Sequence, residues 1–265
     1  MRTLAWIALA AGIALLSLNL AGIAIGLRNP ALAGDPHVRV PDPLTVGPEE
    51  FRIQSRRQAG ESDRALVERA TLLVDDSVAQ WWGDEKAIDT YAMRVPPREN
   101  FVLWSLSWTA PRVYREYEFC SARKAVERGL GLCSQASIVL VTALRENGVD
   151  ASIVGLSGHV VVRARVAPDR WLIADPDSGV VFDHDLPALE AAPSIARDAY
   201  LARGILETAA TTLSSAFSSE GNVIVGGVEE FAPTVCSVER AAYVIKWALP
   251  ALLAIAGIVA LARRR

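Results

Sequence analysis

The chain has 265 residues, of which 51% are hydrophobic and 22% are charged, and its mean hydropathy is +0.25. This composition is apolar for a soluble enzyme, and the excess of apolar residues lies at the two ends of the chain. The formal net charge of -3 and the pI near 5.7 show no basic surplus, so the composition argues against nucleic-acid binding.

The first apolar segment, residues 1–28, is predicted to be a transmembrane helix. No charged residue occurs from Thr3 to Leu27, a length that crosses the roughly 30 Å hydrocarbon core of a bilayer. Ala-Leu-Ala at 31–33 resembles a signal-peptidase site, although the apolar run before it is longer than the ~7–15 residues usual in a signal peptide. Whether this segment is cleaved remains open, and a second apolar segment would anchor the chain in either case.

That second segment, residues 241–265, is predicted to be a C-terminal transmembrane helix with a basic tail. Lys246 lies close enough to one end to reach the interface, and Arg263, Arg264 and Arg265 close the chain. Because positive residues are retained on the cytoplasmic side, these arginines and Arg2 predict two spans in the inner membrane with both termini cytoplasmic. The part between the spans is then periplasmic or extracellular. The alternative is a hairpin of two buried core helices.

Residues 29–60 are predicted to be an extended tether, because five prolines occur between 28 and 50. His37 within it is expected to be solvated. A domain at 61–190 follows. Its first element is an amphipathic helix at 62–80, which is expected to end near Trp82-Gly83.

A cysteine lies at the entrance of the next predicted long helix. Ser121 is expected to cap a short helix that Gly129 ends. After it, Cys133 opens a helix that is apolar on nearly every face and that Asn147-Gly148 ends. A thiol at a helix N-terminus has its thiolate favoured by the helix dipole and by unpaired N–H groups.

Three short β-branched runs follow this helix, at 150–156, 159–166 and 171–175. Ser157-Gly158 predicts a tight turn between the first two runs. A buried helix followed by an antiparallel meander indicates an α+β fold. Residues 191–240 are predicted to be a C-terminal helical extension, with one more strand near 222–231.

Two residues of the meander supply partners for the thiol. His159 stands at the first position of the middle strand, and Asp175 at the end of the next. A thiol needs a neighbouring base to become a thiolate at neutral pH, and the imidazole needs an acceptor that fixes its orientation. Cys133, His159 and Asp175 are therefore the candidate catalytic residues, with the Cys133 backbone N–H as a natural oxyanion donor.

These motifs resemble the bacterial branch of the transglutaminase-like superfamily, which has a papain-like cysteine fold. The pairs that carry the resemblance span about 55 residues, and they are Gly131 with Cys133, Gly148 with Val149, Gly158 with His159, and Trp171 with Asp175. The resemblance implies a membrane-anchored cysteine enzyme that acts on protein or peptide amides of the cell envelope, by hydrolysis or by acyl transfer. No cofactor and no metal are expected, because no clustered acidic loop suggests the calcium sites of animal transglutaminases.

The chain departs from that family at two positions after the histidine. Val161 stands where an aromatic residue is frequent, and Arg163 where an acidic residue is common. The family's second oxyanion donor is an upstream side chain, for which Trp104, Trp108 and Tyr117 are candidates. The alternative function is a catalytically silent binding or scaffold module in envelope or exopolysaccharide assembly. An arylamine acetyltransferase uses the same three residue types, but its acetyl-CoA is cytoplasmic.

The state of the other cysteines decides whether a catalytic thiol is available. Cys120, Cys133 and Cys236 would lie in an oxidising compartment, where an odd count leaves one thiol free. If Cys120 pairs with Cys236, the free thiol is Cys133, whereas a disulfide at Cys133 would exclude the enzyme. Asp175 as a turn residue and a zinc site including His184 are further alternatives.

Strand register provides a geometric requirement. Side chains alternate along a strand, so His159 and Asp175 share a face only if Asp175 is opposite Val161, not Val162. A regular four-residue loop at 167–170 would place Asp175 opposite Val162, so that its side chain would lie on the other face of the sheet from His159. We call this relation between face and register the parity of the two strands. We therefore expect a three-residue loop, a five-residue loop or a β-bulge between these strands.

Overall fold

The computed structural model describes residues 2–34, 44, 46–81, 87–218 and 220–263, with no side-chain description for Ala33 and Gly34. The fold is α+β. Its helices are α1 (Arg2–Ile25), α2 (Pro48–Gln54), α3 (Asp63–Asp75), α4 (Pro97–Thr109), α5 (Pro111–Tyr114), α6 (Ala122–Arg128), α7 (Cys133–Glu146), α8 (Leu186–Ala191), α9 (Pro193–Ala202), α10 (Glu207–Ser215), α11 (Val228–Phe231) and α12 (Pro233–Ala262). Its strands are β1 (Ala79–Gln80), β2 (Leu130–Gly131), β3 (Ala151–Leu156), β4 (His159–Ala167), β5 (Arg170–Asp175), β6 (Val180–Phe182) and β7 (Val223–Gly226).

The chain divides into two compact units, which we call the helical unit and the sheet unit. The helical unit contains the described residues within 1–29, 85–117 and 234–265, and the sheet unit those within 30–84 and 118–233. The candidate catalytic residues all lie in the sheet unit.

An antiparallel five-stranded sheet in the order β6-β5-β4-β3-β7 forms the frame of the sheet unit. It contains the predicted meander, and β6 adds a strand that sequence analysis did not predict. The helix α7 is buried through its middle, from Gln135 to Leu144 with Thr142 half-buried, as its apolar sequence predicts. Ser137, one turn after Cys133, donates a hydrogen bond to the carbonyl oxygen of Val160 at 3.0 Å, and this bond joins α7 to the start of β4.

The turns of the meander set the register of its strands. Leu156 pairs with His159 across the predicted Ser157-Gly158 turn, where Gly158 has the positive φ of +79° that favours glycine. Between β4 and β5 a β-bulge lies between Arg165 and Ala167. The bulge, rather than a three-residue loop, produces the predicted parity.

The amphipathic helix predicted at 62–80, which is α3, is shorter than expected. It begins where expected, and the hydroxyl of Ser62 caps it by accepting from the N–H of Ala65, but α3 ends at Asp75 and not near residue 80. The reason is a tertiary one: Ala79 and Gln80 pair in parallel with Leu130 and Gly131. The expected end at Trp82-Gly83 lies outside the described residues.

Other local predictions are confirmed at the ends of helices. Ser121 accepts from the N–H of Lys124 at the start of α6, and Gly129 ends that helix in the left-handed conformation. Asn147 and Gly148 end α7, with φ of +80° at Gly148. Within the predicted tether, residues 48–54 are helical, whereas 35–43, with His37, and 45 lie outside the described residues.

The predicted C-terminal extension contributes to the core of the sheet unit. One face of the sheet, which includes Val161 and Ile173, packs against α8, α9 and α10 through apolar residues such as Leu189, Tyr200 and Ala210. Because alternate residues share a face, His159 and Asp175 lie on this same face of the sheet.

In the helical unit, α1 and α12 are both long and apolar enough to cross a membrane. They pack antiparallel. A Cβ on Gly12 would lie 2.6 Å from the carbonyl oxygen of Pro250, and one on Gly257 would lie 2.8 Å from that of Ala5. Small residues that let backbones approach closely are typical of membrane helix pairs. The structure therefore fits a membrane protein.

Candidate functional site

Cys133 is the first residue of α7 and the free cysteine of the chain, and its side chain is half-buried. Cys120 and Cys236 are both disulfide-bonded. This is the arrangement that leaves a thiol at the helix entrance. The first N–H groups of a helix have no partner within it, so the backbone of Cys133 also presents a hydrogen-bond donor there.

The register of β4 and β5 brings His159 and Asp175 together. Val162 pairs with Ala174, so the same register places Asp175 opposite Val161, as the parity argument predicts. Nε2 of His159 lies 2.9 Å from Oδ2 of Asp175. Since Nε2 is engaged there, Nδ1 is the ring nitrogen left for the thiol, and a side-chain hydrogen bond does link Cys133 and His159. All three predicted residues form one chain of contacts.

Both carboxylate oxygens of Asp175 are occupied, although the side chain is completely buried. Oδ2 also accepts a hydrogen bond from the hydroxyl of Tyr200 at 2.8 Å, and Oδ1 accepts one from the backbone N–H of Asp177 at 3.0 Å. A buried carboxylate with three donors is held in place and stays ionised. Tyr200 lies in α9, and no feature of its local sequence indicated this role.

The pKa values of His159, Asp175 and Tyr200 each depend on the neighbouring groups of the site. Burial alone would lower the pKa of His159, but the charge and hydrogen bond of Asp175 hold that pKa well above its usual range. Burial alone would raise the pKa of Asp175, but His159, Tyr200 and Asp177 lower it. Burial and the charge of Asp175 raise the pKa of Tyr200, which therefore remains a neutral donor. The geometry thus favours an imidazolium beside a carboxylate at neutral pH.

A second carboxyl group, that of Glu118, lies at the entrance of α7. Oε1 accepts from the backbone N–H of Leu132 at 3.2 Å and from that of Gln135 at 3.0 Å, and Oε2 accepts from the hydroxyl of Ser134. Burial raises the pKa of Glu118, opposed by these hydrogen bonds and by the charge of Arg128. Glu118 caps the helix on both sides of Cys133 and leaves the Cys133 N–H available.

The side chain of Gln135 connects α7 to the segment before α6. Its Oε1 accepts from the backbone N–H of Phe119 at 2.7 Å and from Nη2 of Arg128 at 3.0 Å, and its Nε2 donates to the carbonyl oxygen of Phe119 at 2.8 Å. Both Gln135 and Arg128 are completely buried. Satisfied polar networks of this kind make a buried element rigid, which fixes the direction of the helix that carries the thiol.

The two departures from the family pattern have structural explanations. Arg163 makes a bidentate pair with Asp185, with both N–O distances 2.6 Å, and its guanidinium lies 3.8 Å from the ring centroid of Trp171. Its charge is therefore neutralised within the sheet unit. Val161 is completely buried in the core between the sheet and α8 to α10, where its small side chain leaves space for their packing.

The remaining predicted residues are not brought to the triad by any contact of the described residues. His184 is exposed in the bend after β6. Tyr117 in the helical unit is buried and donates to Glu239 Oε2 at 2.9 Å. Trp104 and Trp108 are exposed in the same unit, so the second oxyanion donor stays a prediction. Among the described residues, no group of three or more His, Cys, Asp or Glu side chains is suited to hold a metal ion.

Comparison with known proteins adds no relative to this description. No protein family, curated protein or solved structure matches the chain.

Proposed function

We propose that this chain is a membrane-tethered, transglutaminase-like cysteine enzyme that hydrolyses or transfers acyl groups at amide or peptide bonds of an envelope substrate. One observation carries the proposal. A free, half-buried thiol opens a buried helix and is hydrogen-bonded to His159, which is itself oriented by the fully buried Asp175. Nucleophile, base and orienting acid in this order are the requirement for covalent thiol catalysis.

The side chains of the triad support a complete acylation and deacylation cycle. The thiolate of Cys133 attacks the carbonyl carbon of the amide while the Cys133 N–H stabilises the oxyanion. As the intermediate collapses, the imidazolium of His159 gives its proton to the leaving amine, and an acyl-thioester remains. A water or an acceptor amine then attacks this thioester, His159 takes the proton from the nucleophile, and Cys133 leaves as the thiolate, which restores the starting ion pair.

Membrane location supports an envelope substrate. The antiparallel contact of α1 with α12 places Arg2 and Arg263 at the same end of the helix pair, the end that the positive-inside rule assigns to the cytoplasm. The enzyme domain is then periplasmic or extracellular. The disulfide-bonded state of Cys120 and Cys236 is in keeping with such an oxidising compartment.

Acyl-enzyme formation tests the proposed chemistry. Full-length protein in detergent is mixed with an activated ester, p-nitrophenyl acetate, and the mass of the intact chain is measured. We expect one acetyl group on Cys133 of the wild type and none after Cys133→Ser or His159→Ala, because one removes the nucleophile and the other its base. His184→Ala is the control, since this histidine is exposed and has no role in the proposed chemistry.

Two outcomes would contradict the proposal. A wild-type chain that never acquires the acetyl group, although folded, would favour the silent scaffold module. Equal loss of labelling in His184→Ala and His159→Ala would mean that His159 is not the base.

A further inference from the structure

The helical unit exposes an aromatic surface that the proposed chemistry does not use. Trp104 and Trp108 lie one turn apart on α4, with 37% and 59% of their surfaces exposed and ring centroids 6.3 Å apart. Val113 in α5 is 49% exposed close behind them in the chain. Two neighbouring exposed tryptophans form an apolar patch of a kind that marks an interaction surface.

The opposite side of α4 is anchored in the protein. Asn100 caps its main turns, since Oδ1 accepts from the backbone N–H groups of Val102 and Leu103 at 3.1 Å each. Leu103 and Ser107 are buried. Because these residues alternate with Trp104 and Trp108 at helical spacing, one face of α4 is buried and its aromatic face is turned outward.

The start of α4 is joined to the same ends of α1 and α12. A Cβ on Gly22 would lie 2.0 Å from the carbonyl oxygen of Arg98, so α1 and the start of α4 are in close contact. On α12, the hydroxyl of Tyr243 donates to Glu99 Oε1 at 2.5 Å, and Nζ of Lys246 donates to the carbonyl oxygen of Glu99.

The positions of these contacts give the depth of α4 in a bilayer. The runs from Arg2 to Gly22 and from Tyr243 to Ala262 each contain about 20 residues, or roughly 30 Å of helix. This length equals the hydrocarbon thickness of about 30 Å. If the two helices span the membrane, α4 begins at the boundary between acyl chains and headgroups.

The aromatic and basic side chains of α4 and its surroundings suit this boundary. Tryptophan is enriched at membrane interfaces, where its ring is apolar and its N–H reaches water or headgroups. The guanidinium of Arg94 lies 4.0 Å from the ring centroid of Trp108, but Arg94 is buried and paired with Asp89. Arg112 is exposed at the start of α5, and an exposed arginine near tryptophans matches the phosphates of lipid headgroups.

We propose that α4 and α5 form an interfacial membrane anchor, in which Trp104 and Trp108 insert between the lipids at the headgroup boundary of the bilayer that α1 and α12 span. This anchor is independent of the proposed enzymatic activity. Besides α1 and α12, this anchor gives the helical unit a third contact with lipid. The contact lies at the membrane surface where α1 leaves the bilayer and α12 enters it.

Lipid-dependent fluorescence quenching tests the anchor in the full-length chain. In a Cys133→Ser background the only free thiol is an engineered one, because Cys120 and Cys236 are disulfide-bonded. Trp104→Cys and Trp108→Cys are labelled separately with bimane and reconstituted into phosphatidylcholine–phosphatidylglycerol vesicles. Quenching by lipids with a spin label near the headgroup is compared with quenching by aqueous iodide.

Two control positions calibrate the experiment. Ile53→Cys in the sheet unit is matched in exposure, at 58%, and Leu252→Cys on α12, at 64%, reports the bilayer. We expect roughly twofold stronger lipid quenching at 104 and 108 than at 53, with weaker iodide quenching, as for an interfacial aromatic residue. Iodide access at both positions equal to that at 53 would overturn the anchor. Protection from both quenchers would also overturn it, because a second copy or another protein would then cover the surface.

Discussion

At the scale of single residues, the hydrogen bond from Tyr200 completes the set of donors around the buried Asp175 carboxylate. Tyr200→Phe keeps the ring and removes only the donor, which leaves a fully buried carboxylate oxygen with one partner fewer. Hydrogen bonds to charged groups contribute roughly 1.5–3 kcal/mol to stability. We therefore expect Tyr200→Phe to lower the free energy of unfolding by that amount, as measured by thermal unfolding.

The same variant distinguishes positioning from packing. If Tyr200 orients the triad through Asp175, alkylation of Cys133 by iodoacetamide slows in Tyr200→Phe and its pH dependence changes. Tyr243→Phe removes another tyrosine hydroxyl bonded to a carboxylate, but in the helical unit. Unchanged alkylation kinetics in Tyr200→Phe would leave Tyr200 with a structural role alone.

The charge of Asp175 controls the protonation of His159. Burial lowers and Asp175 raises the pKa of His159, with a net increase, so the pair's stabilising effect is complete below about pH 6.5 and is lost as pH rises through the raised pKa. Asp175→Asn removes the stabilising charge and lowers this pKa. Carbon-13 NMR of histidine-labelled protein in detergent measures it, with three histidines to assign.

Asp183→Asn is the matched control for this titration, because Asp183 is an exposed carboxylate paired with Arg64 and Arg170. Only the Asp175 variant should shift the titration of His159 to lower pH. A His159 titration that is the same in wild type and in Asp175→Asn would refute the coupling of these two groups.

At the scale of elements, the approach of β2 to α7 depends on the absence of a side chain at Gly131. A Cβ there would lie 2.3 Å from Cβ of Gln135 and 2.5 Å from its Cγ. Gln135 cannot yield, since its amide is bonded on both sides to Phe119. We expect Gly131→Ala to destabilise the fold by about 1–3 kcal/mol and to slow alkylation of Cys133.

Gly155→Ala in β3 is the control for this substitution, because a Cβ at Gly155 meets nothing within 4 Å. Thermal unfolding of both variants measures the difference. Equal stability of the two alanine variants would show that the strand-to-helix junction tolerates a side chain, contrary to the close approach.

The β4–β5 bulge shows how an element controls the geometry of the candidate site. A regular hairpin with a four-residue loop would direct Asp175 to the opposite face of the sheet from His159. The extra residue between Arg165 and Ala167 restores the parity, and the face shared by His159 and Asp175 then meets Tyr200 on α9. The required parity could be predicted from the sequence, because side chains along a strand alternate between its two faces. Whether a bulge or a different loop length would provide that parity could not be predicted.

At the scale of the whole molecule, the orientation of α1 and α12 across a membrane decides in which compartment the sheet unit lies. A phosphatase reporter inserted after residue 235 should be active in a bacterial host, and one fused after Arg265 should be inactive, because this reporter folds only outside the cytoplasm. The flanking arginines are the physical reason for this expectation. The reverse pattern of activities would place the sheet unit in the cytoplasm and exclude an envelope substrate.

The sequence by itself determined features that depend on local chemistry. Long uncharged runs marked α1 and α12, Ser121 marked a helix start, and Ser157-Gly158 marked the tight turn. These signals are local because capping, turn conformation and apolar length involve residues close in the chain. The alignment of the triad was also predictable, because strand alternation relates residues 159 and 175 once they are assigned to neighbouring strands.

Only the tertiary structure decided which distant residues complete the site. Tyr200 reaches Asp175 from α9, and Glu118 caps α7 from a segment before α6. The early end of α3 has a similar cause, since Ala79 and Gln80 pair with a strand some fifty residues later, and the N–H groups of Ala79 and Trp81 donate to carbonyl oxygens there. Such contacts join residues that are far apart in the chain and that no helix or strand periodicity relates. They form because each polar atom that is buried in the fold needs a hydrogen-bond donor or acceptor.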